Sequence, residues 1–190
     1  GEKLAYFWPS YSLYPVLAAI QKQKWTISST MIDFPQEDYS SLDRIRVTGG
    51  IVPDDCWERN RDLFFGAVET TAALGVKLLS MHLGFLDHKN LEHARKIFDR
   101  TRILADCAVK KGITVLLETG QETAAELQQF LKEIRHPAVA VNFDPANMIL
   151  YGTGDPTEAL GVLAPYVVSV HCKDGDWPPA GQPGALGTER

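Results

Sequence analysis

The sequence predicts a parallel (β/α)8 barrel, and three observations carry that prediction. Apolar strand segments alternate with helical segments along the chain, at roughly 25–30 residues per unit. Several strands are continuous apolar runs, which is typical of parallel strands covered by helices. Three consecutive strands end in a carboxylate or an imidazole, at Glu118, Asp144 and His171. A closed barrel brings strand ends together at one opening, whereas an open sheet spreads them along an edge, so the pattern favours a barrel.

The bulk composition fits one globular domain over residues 1–190. The net charge is −5 and Lys and Arg form no run, which argues against a nucleic-acid or anionic-membrane partner. No apolar stretch reaches the ~20 residues that span a bilayer, and no signal peptide is visible. Cys56, Cys107 and Cys172 fit neither a C-x-x-C motif nor a disulfide framework. We therefore expect reduced, mostly buried thiols and a cytoplasmic protein.

The predicted elements follow from apolar periodicity, β-branched content and the residues that start and stop helices. Six strands are predicted, at Leu4–Trp8, Thr26–Ile32, Val76–Met81, Ile113–Leu117, Val139–Phe143 and Val167–Val170. Helices are predicted at Ser12–Lys24, around Ser41–Arg46, from Pro53 to near Gly75, and at Asn90–Lys111, Thr123–Ile134 and Pro156–Leu163. The remaining residues, 172–190, are rich in Gly and Pro and are predicted to form a loop.

Five segments carry recognisable motifs, four of them at strand ends. They are DYSSLDRIRVTGG (Asp38–Gly50), HLGF (His82–Phe85), LLETGQET (Leu116–Thr123), VNFDPANM (Val141–Met148) and VHCKDG (Val170–Gly175). In this order the chain resembles the sugar phosphate isomerase/epimerase group of the xylose-isomerase-like TIM-barrel superfamily. The resemblance implies that Leu4–Trp8 is the second barrel strand and Val167–Val170 the seventh. The first and eighth strands are therefore expected to be missing, since a full barrel needs ~250 residues.

The resemblance also implies a divalent-metal site with four protein ligands. Glu118, Asp144 and His171 match three of them, and the fourth, a Glu on the eighth strand, is not in this sequence. Two carboxylates and an imidazole suit Mn²⁺, Mg²⁺, Co²⁺ or Zn²⁺. Each residue also has a simpler interpretation: Glu118 as a solvated loop carboxylate, Asp144 as a turn cap, and His171 as a structural histidine.

Further site residues are implied by the same resemblance. Glu118 is expected to move a proton at a carbon next to a carbonyl, because burial and a metal tune the pKa of a carboxylate. His82 is a candidate for substrate contact or a structural histidine, and Lys173 for holding an oxyanion or carboxylate or a surface cation. The residues expected to bind substrate are Asn147, Gln121 and Trp177. Asn147 stands where family members often carry His, and an amide can bind a hydroxyl but cannot act as a base.

These residues predict a metal-dependent isomerase or epimerase for a sugar, sugar phosphate or ketose, working through proton transfer alpha to a carbonyl and an enediolate. The 190-residue chain, which lacks the second Glu, is expected to show little activity by itself. Two alternatives remain open. Phosphodiester hydrolysis, as in the endonuclease IV-like branch, needs more His ligands and a basic stripe. A non-catalytic barrel needs no metal. The expected partner is a small sugar, with no nucleic acid and no membrane, and homo-oligomerisation is left open.

Overall fold

A parallel sheet of five strands forms the centre of the computed structural model, which describes residues 14–181 and 185–190. The strands are β1 (Thr30–Ile32), β2 (Leu78–Met81), β3 (Thr114–Glu118), β4 (Val139–Phe143) and β5 (Val167–Val170). They are neighbours in space in the same order as in the chain, and every neighbouring pair is parallel. Sequential parallel strands joined by helices are the repeating unit of a barrel wall, so the carboxyl ends of all five strands face one opening.

Helices connect the strands and cover the outside of the sheet. They are α1 (Tyr14–Gln23), α2 (Leu42–Thr48), α3 (Trp57–Ala73), α4 (Leu91–Val109), α5 (Ala124–Ile134), α6 (Pro145–Tyr151) and α7 (Pro156–Leu163), with a 3-10 turn at Ala164–Tyr166. Two short antiparallel strands follow, β6 (Gly175–Asp176) and β7 (Thr188–Glu189). None of the described helices combines the length and the apolar character that a membrane crossing requires.

The hydrophobic core lies between the sheet and α3, α4 and α5. In β3 and β4, four of the five residues are buried in each strand, which fits strands covered on both faces. Phe64 of α3, Ile97 of α4 and Leu127 of α5 are all buried against them. Burying each such side chain contributes about 1.5–3 kcal/mol, so the core holds the strand ends in fixed relative positions.

The predicted strands within the described residues are confirmed, with β4 and β5 at the predicted bounds. The predicted strand Leu4–Trp8 lies outside the described residues. Residues 172–190 are not simply a loop, because β6 and β7 pair across them. The expectation of mostly buried thiols is wrong: Cys56 and Cys107 are partly buried, and Cys172 is exposed because it lies in the connection that leaves β5.

The predicted start of α3 at Pro53 is also wrong, since the helix begins at Trp57. Arg100 of α4 explains the difference. Its guanidinium donates to the carbonyl oxygens of Ile51, Val52 and Pro53, at 2.6, 3.0 and 3.3 Å. These carbonyls are held in a loop by a tertiary contact, which overrides the local helix-start pattern. The same segment bonds to the strand-end loop of β2, so Arg100 supports one side of the barrel opening.

Replacing Arg100 by Met is expected to lower the free energy of unfolding by about 2–4 kcal/mol, because two buried carbonyl groups and one partly buried carbonyl group lose a charged donor. Chemical denaturation measures the change. Arg95→Met on the exposed face of the same helix is the control and should change stability by less than about 0.5 kcal/mol. Equal effects in the two variants would contradict the role assigned to Arg100.

Candidate metal centre

Three side chains from neighbouring strands meet at the barrel opening. Glu118 is the last residue of β3, Asp144 follows β4 directly, and His171 follows β5 directly. One ligand atom from each lies within 4.8 Å of the others. Asp144 follows Glu118 by 26 residues, and His171 follows Asp144 by 27 residues. The three residues converge because consecutive parallel strands place their carboxyl ends side by side.

The imidazole of His171 lies on the open side of the two carboxylates. Its Nδ1 atom is 2.9 Å from Oε1 of Glu118 and 3.1 Å from Oδ2 of Asp144. The two carboxylate side chains are 1% and 0% exposed, whereas the His171 side chain is 46% exposed. The site is therefore a buried anionic pair with a partly solvated imidazole above it.

Glu118 is oriented by donors from the strands on either side. Its Oε2 atom accepts hydrogen bonds from Ser80 Oγ on β2 and from Asn142 Nδ2 on β4, both at 3.1 Å. Burial acts to raise the pKa of Glu118, but the charge of His82, the hydrogen bond and charge of His171, and the hydrogen bond from Asn142 together hold it below the ordinary value. Glu118 is thus kept ionised, with Oε1 turned to the opening.

Asp144 uses its two oxygens differently. Oδ1 accepts the backbone N–H of Asn147 at 2.9 Å and caps α6, so the turn-cap interpretation holds for this oxygen. Oδ2 is 3.1 Å from both His171 Nδ1 and Lys173 Nζ, yet it is buried and makes no hydrogen bond of acceptable geometry. Burial raises the pKa of Asp144 despite the opposing effects of the Asn147 N–H and the Lys173 ammonium.

Lys173 lies beside this oxygen, and its side chain is only 15% exposed. Its ammonium donates to Asn147 Oδ1 at 2.7 Å, so these two predicted site residues are in direct contact. The neighbouring carboxylate of Asp174 instead accepts the N–H of Gly175 at 2.8 Å and acts as a turn residue. The cation nearest the carboxylate pair is therefore fixed by an amide from α6.

The other predicted site residues differ in their surroundings. His82 follows β2, is largely buried, and has an Nδ1 atom without a hydrogen-bond partner. Gln121 is 3% exposed, and neither atom of its amide has a partner. Trp177 is 51% exposed beside β6, so its indole is open to solvent. The buried, unpartnered polar groups of His82 and Gln121 therefore fit a ligand-binding role better than the exposed indole of Trp177 does.

Sequence reasoning missed Ser80, Glu37, Tyr39 and Tyr151 as parts of this opening. Glu37 accepts the N–H groups of Phe34 and Gly50 at 2.8 and 2.9 Å. The Tyr39 ring lies 5.8 Å from the His82 ring.

Burial raises the pKa of the Tyr151 phenol, and the nearby carboxylates of Asp144 and Glu118 raise it further. Ser80 offered a sequence signal, because it is the only polar residue of β2.

The helix that carries Asn147 was also missed. Asp144 as N-cap, Pro145 at the first turn and Gly152 in the left-handed conformation are ordinary start and stop residues for α6. Gly120, at φ +148°, lets this helix approach β3, because a Cβ there would lie 2.5 Å from the Asn147 side chain and 3.0 Å from the Tyr151 ring.

The residues fit a divalent cation. The separations of 2.9 and 3.1 Å between His171 and the two carboxylates match the ~3.0 Å expected between adjacent ligands with bonds of ~2.1 Å at right angles. Oδ2 of Asp144 has only ion-pair contacts, at 3.1 Å with His171 Nδ1 and Lys173 Nζ, so a cation could replace one of them there. Two carboxylate oxygens and one imidazole nitrogen suit a hard or borderline ion such as Mg²⁺, Mn²⁺, Co²⁺ or Zn²⁺.

Comparison with known families shows which family this chain belongs to. The family model of the xylose isomerase-like TIM barrel matches residues 15–187. The chain belongs to this family. A search of curated proteins gave no match.

Solved structures agree with the assignment to the xylose isomerase-like family. A xylose isomerase domain protein from Planctomyces limnophilus is 32% identical with a TM-score of 0.89, over 93% of this chain and 64% of that protein. A xylose isomerase-like TIM barrel protein from Mycobacterium smegmatis, in complex with magnesium, is 19% identical (TM-score 0.66, 95% and 63% coverage). D-psicose 3-epimerase, solved in the presence of D-fructose, is 17% identical (TM-score 0.67, 90% and 62% coverage). The last two likenesses concern the fold. The chain spans 64% of the length of the first protein.

A buried carboxyl in this xylose isomerase-like chain gives a pH-dependent prediction. Glu122 follows Gln121 and is 6% exposed, and burial, with a smaller effect of Glu126, raises its pKa from 4.5 to about 8. Between these values the unfolded chain binds fewer protons than the folded one, so the free energy of unfolding falls as pH rises. Glu122→Gln is expected to remove a slope of up to about 1.4 kcal/mol per pH unit between pH 5 and 8.

Chemical denaturation at several pH values measures this difference. Glu133→Gln, at an exposed position of α5, is the control and should leave the wild-type slope unchanged. Parallel pH profiles for wild type and Glu122→Gln would show that Glu122 is ionised in the folded protein across this range.

Proposed function

We propose that the protein is a divalent-metal-dependent isomerase or epimerase acting on a sugar or a related polyhydroxy carbonyl compound. The observation that carries this proposal is that one ligand atom each from Glu118, Asp144 and His171 lie within 4.8 Å of one another. The membership of the xylose isomerase-like family and the fold shared with D-psicose 3-epimerase support the same class of reaction.

The triad would hold the ion through Glu118 Oε1, Asp144 Oδ2 and His171 Nδ1. When bound, a divalent cation supplies Lewis-acid polarisation of the adjacent carbonyl and hydroxyl oxygens of a sugar. A magnesium complex of a protein with the same fold supports a divalent ion of this kind. Asn147 fixes Asp144 through its backbone N–H, so the ligand oxygen is directed before any ion arrives.

Glu118 is the proposed acid and base. An ionised carboxylate can remove the proton from the carbon next to the carbonyl and return it to the neighbouring carbon, which isomerises the sugar. Inversion at the same carbon would need a second acid on the opposite face, the position that the resemblance assigns to a Glu of the eighth strand. Ser80 and Asn142 hold Oε2, so the side chain keeps one rotamer while Oε1 faces the opening. Because the side chain is already held in one rotamer, less conformational entropy is lost when it reaches the reactive geometry.

Lys173 is the proposed charge-stabilising group. Removing a proton next to a carbonyl develops negative charge on the carbonyl oxygen, and a fixed ammonium in a largely buried site stabilises that charge. Lys173 is fixed by Asn147 at 2.7 Å and shielded by its surroundings. His82 contributes a second polar group from the end of β2, where its charge acts on Glu118.

Metal titration tests the site directly. Glu118→Gln, Asp144→Asn and His171→Ala are each expected to weaken Mn²⁺ binding by at least about tenfold, because each removes one ligand atom. Electron paramagnetic resonance of free Mn²⁺ measures the affinity. Asp174→Asn is the matched control. Asp174 is three residues from His171, but its carboxylate accepts the backbone N–H of Gly175. The Mn²⁺ affinity of this variant should therefore stay within about twofold of the wild-type value. Wild-type affinity in all three triad variants would reject the proposed site.

Lys173→Met separates catalysis from metal binding. The variant is expected to bind Mn²⁺ at least as tightly as wild type, because a competing cation beside Asp144 is removed. It should nevertheless slow the exchange of the proton next to a ketose carbonyl in D₂O by about 10²-fold or more, since charge stabilisation is lost. Nuclear magnetic resonance of the sugar follows the exchange in the full-length protein.

The control for this experiment is Lys132→Met, on the exposed face of α5, which should exchange at the wild-type rate. Equal exchange rates for Lys173→Met and wild type would contradict the role of Lys173. Cleavage of abasic DNA without ketose exchange would instead support the phosphodiester hydrolase.

A further inference from the structure

Four exposed residues of α4 form one row on the outside of the barrel wall, which we call the α4 ridge. They are Leu91, Arg95, Asp99 and Ile103, and their spacing of four residues aligns them along the helix. Leu91 and Ile103 are 80% and 43% exposed, and the side chains of Arg95 and Asp99 are 86% and 62% exposed. Ile97, on the opposite side of α4, is fully buried, so the ridge faces away from the core.

The stability of α4 alone does not account for this ridge. Leu91 has the largest exposed fraction of the large apolar side chains in the described part of the chain. Arg95 and Asp99 form a loose ion pair, 3.8 Å apart, in which the base precedes the acid, and this order is the less favourable one within a helix. Exposed pairs of this kind contribute little to folding. We therefore interpret the ridge as a contact surface.

The order of residues along the ridge is self-complementary. It begins and ends with an apolar side chain, and its two inner positions carry opposite charges. We propose that the α4 ridge binds the α4 ridge of a second copy of this chain, with the two helices antiparallel. Leu91 then lies against Ile103 of the partner subunit, and Arg95 lies against Asp99 of the partner subunit. A two-fold axis repeats each contact, which gives two ion pairs and two apolar contacts.

The charge of the surface favours a second copy over a strongly charged partner. The ridge itself is neutral because Arg95 balances Asp99, so two copies do not repel one another there, although each chain carries a net charge of −5. A nucleic acid or an acidic peptide would need an excess of bases on this surface. A partner with the reverse order of charges satisfies both Arg95 and Asp99, and a second copy supplies that order.

Helix geometry permits this pairing. Rows of side chains four residues apart are inclined to the helix axis, and helices that pack along two such rows cross at about −50°. The ridge spans about 18 Å, since its ends are 12 residues apart at about 1.5 Å per residue. A contact of this length buries on the order of 1,000 Å² in total, near the lower limit for a specific dimer, so we expect a Kd on the order of 10 µM.

A groove beside Leu91 offers space for a side chain of the second copy. It has a volume of about 230 Å³. Its apolar walls, from α4, α5 and the loop after β2, include Leu86, Leu91, Ala94, Phe98 and Phe130. In the antiparallel arrangement, Ile103 of the partner subunit lies over this groove because it faces Leu91. Filling the groove removes apolar surface from water at both ends of the contact, which stabilises the dimer.

Charge reversal tests the interface in the full-length protein. Sedimentation velocity from about 1 to about 200 µM measures association, and wild type is expected to form dimers within this range. Arg95→Asp and Asp99→Arg are each expected to raise the Kd at least about tenfold, because each places like charges together in both ion pairs. The Tm of either variant at about 1 µM should stay within about 2 °C of the wild-type value, since the exposed pair contributes little to folding.

A mixture of the two variants gives the sharper result. The ridge carries two acids in Arg95→Asp and two bases in Asp99→Arg, so an equimolar mixture should form a 1:1 heterodimer about as tight as the wild-type dimer. Asp43→Arg is the matched control. Asp43 forms an exposed ion pair with Arg46 within α2, also 3.8 Å long, and its replacement changes the net charge as Asp99→Arg does. This control should leave the Kd within about twofold of the wild-type value.

A wild type that stays monomeric at the highest concentration would overturn the inference. So would a dimer that survives both charge reversals, or a mixture of the two variants that remains monomeric like its components. None of these measurements involves the metal site, so their outcome is independent of the proposed function.

Discussion

Two buried carboxylates beside one another are the constraint on which the site depends. Glu118 and Asp144 are 4% and 0% exposed, and both direct an oxygen to the same imidazole. Buried charges are tolerated only when they are paired and hydrogen-bonded. His171, Lys173 and three hydrogen-bond donors supply most of that compensation, but they leave Asp144 Oδ2 without a hydrogen bond. A site that gathers negative charge and leaves one lone pair free is suited to a cation.

The path of the backbone determines where the two carboxylates and the imidazole lie. Parallel strands in sequential order bring Glu118, Asp144 and His171 to one opening, and the core beneath them fixes their spacing. The short helix α6 then does two things at once: its capped end directs Asp144, and its Asn147 side chain holds Lys173. A Cβ at Gly120 would meet Asn147 and Tyr151, so the close approach of α6 to β3, and with it the contact of Asn147 with Lys173, depends on this glycine.

The parts of the fold that were predictable from sequence are those with a local cause. The strands ending at Phe143 and Val170 were predictable because two short, mainly apolar runs, each with a single polar residue, stop at Asp144 and at His171. Ser80 showed only that one polar residue interrupts β2, because its partner Glu118 lies 38 residues away. The bond from Glu37 to Gly50, 13 residues away, had no sequence signal. The start of α3 shows the converse: Pro53 has a valid local pattern, but a donor 47 residues later decides its conformation.

The distribution of unsatisfied polar atoms argues for function over packing. Among the described residues, the buried side-chain atoms without a hydrogen-bond partner belong to His82, Gln121, Asn142 and Asp144. Errors of packing would be scattered through the core, whereas these four residues lie at or just beyond the ends of three adjacent strands. Native proteins satisfy most buried polar groups, so a concentration of exceptions at one opening indicates a place shaped for a polar ligand. The energetic cost of leaving these groups unpaired is expected to be offset when the cation and polar substrate of the proposed function bind.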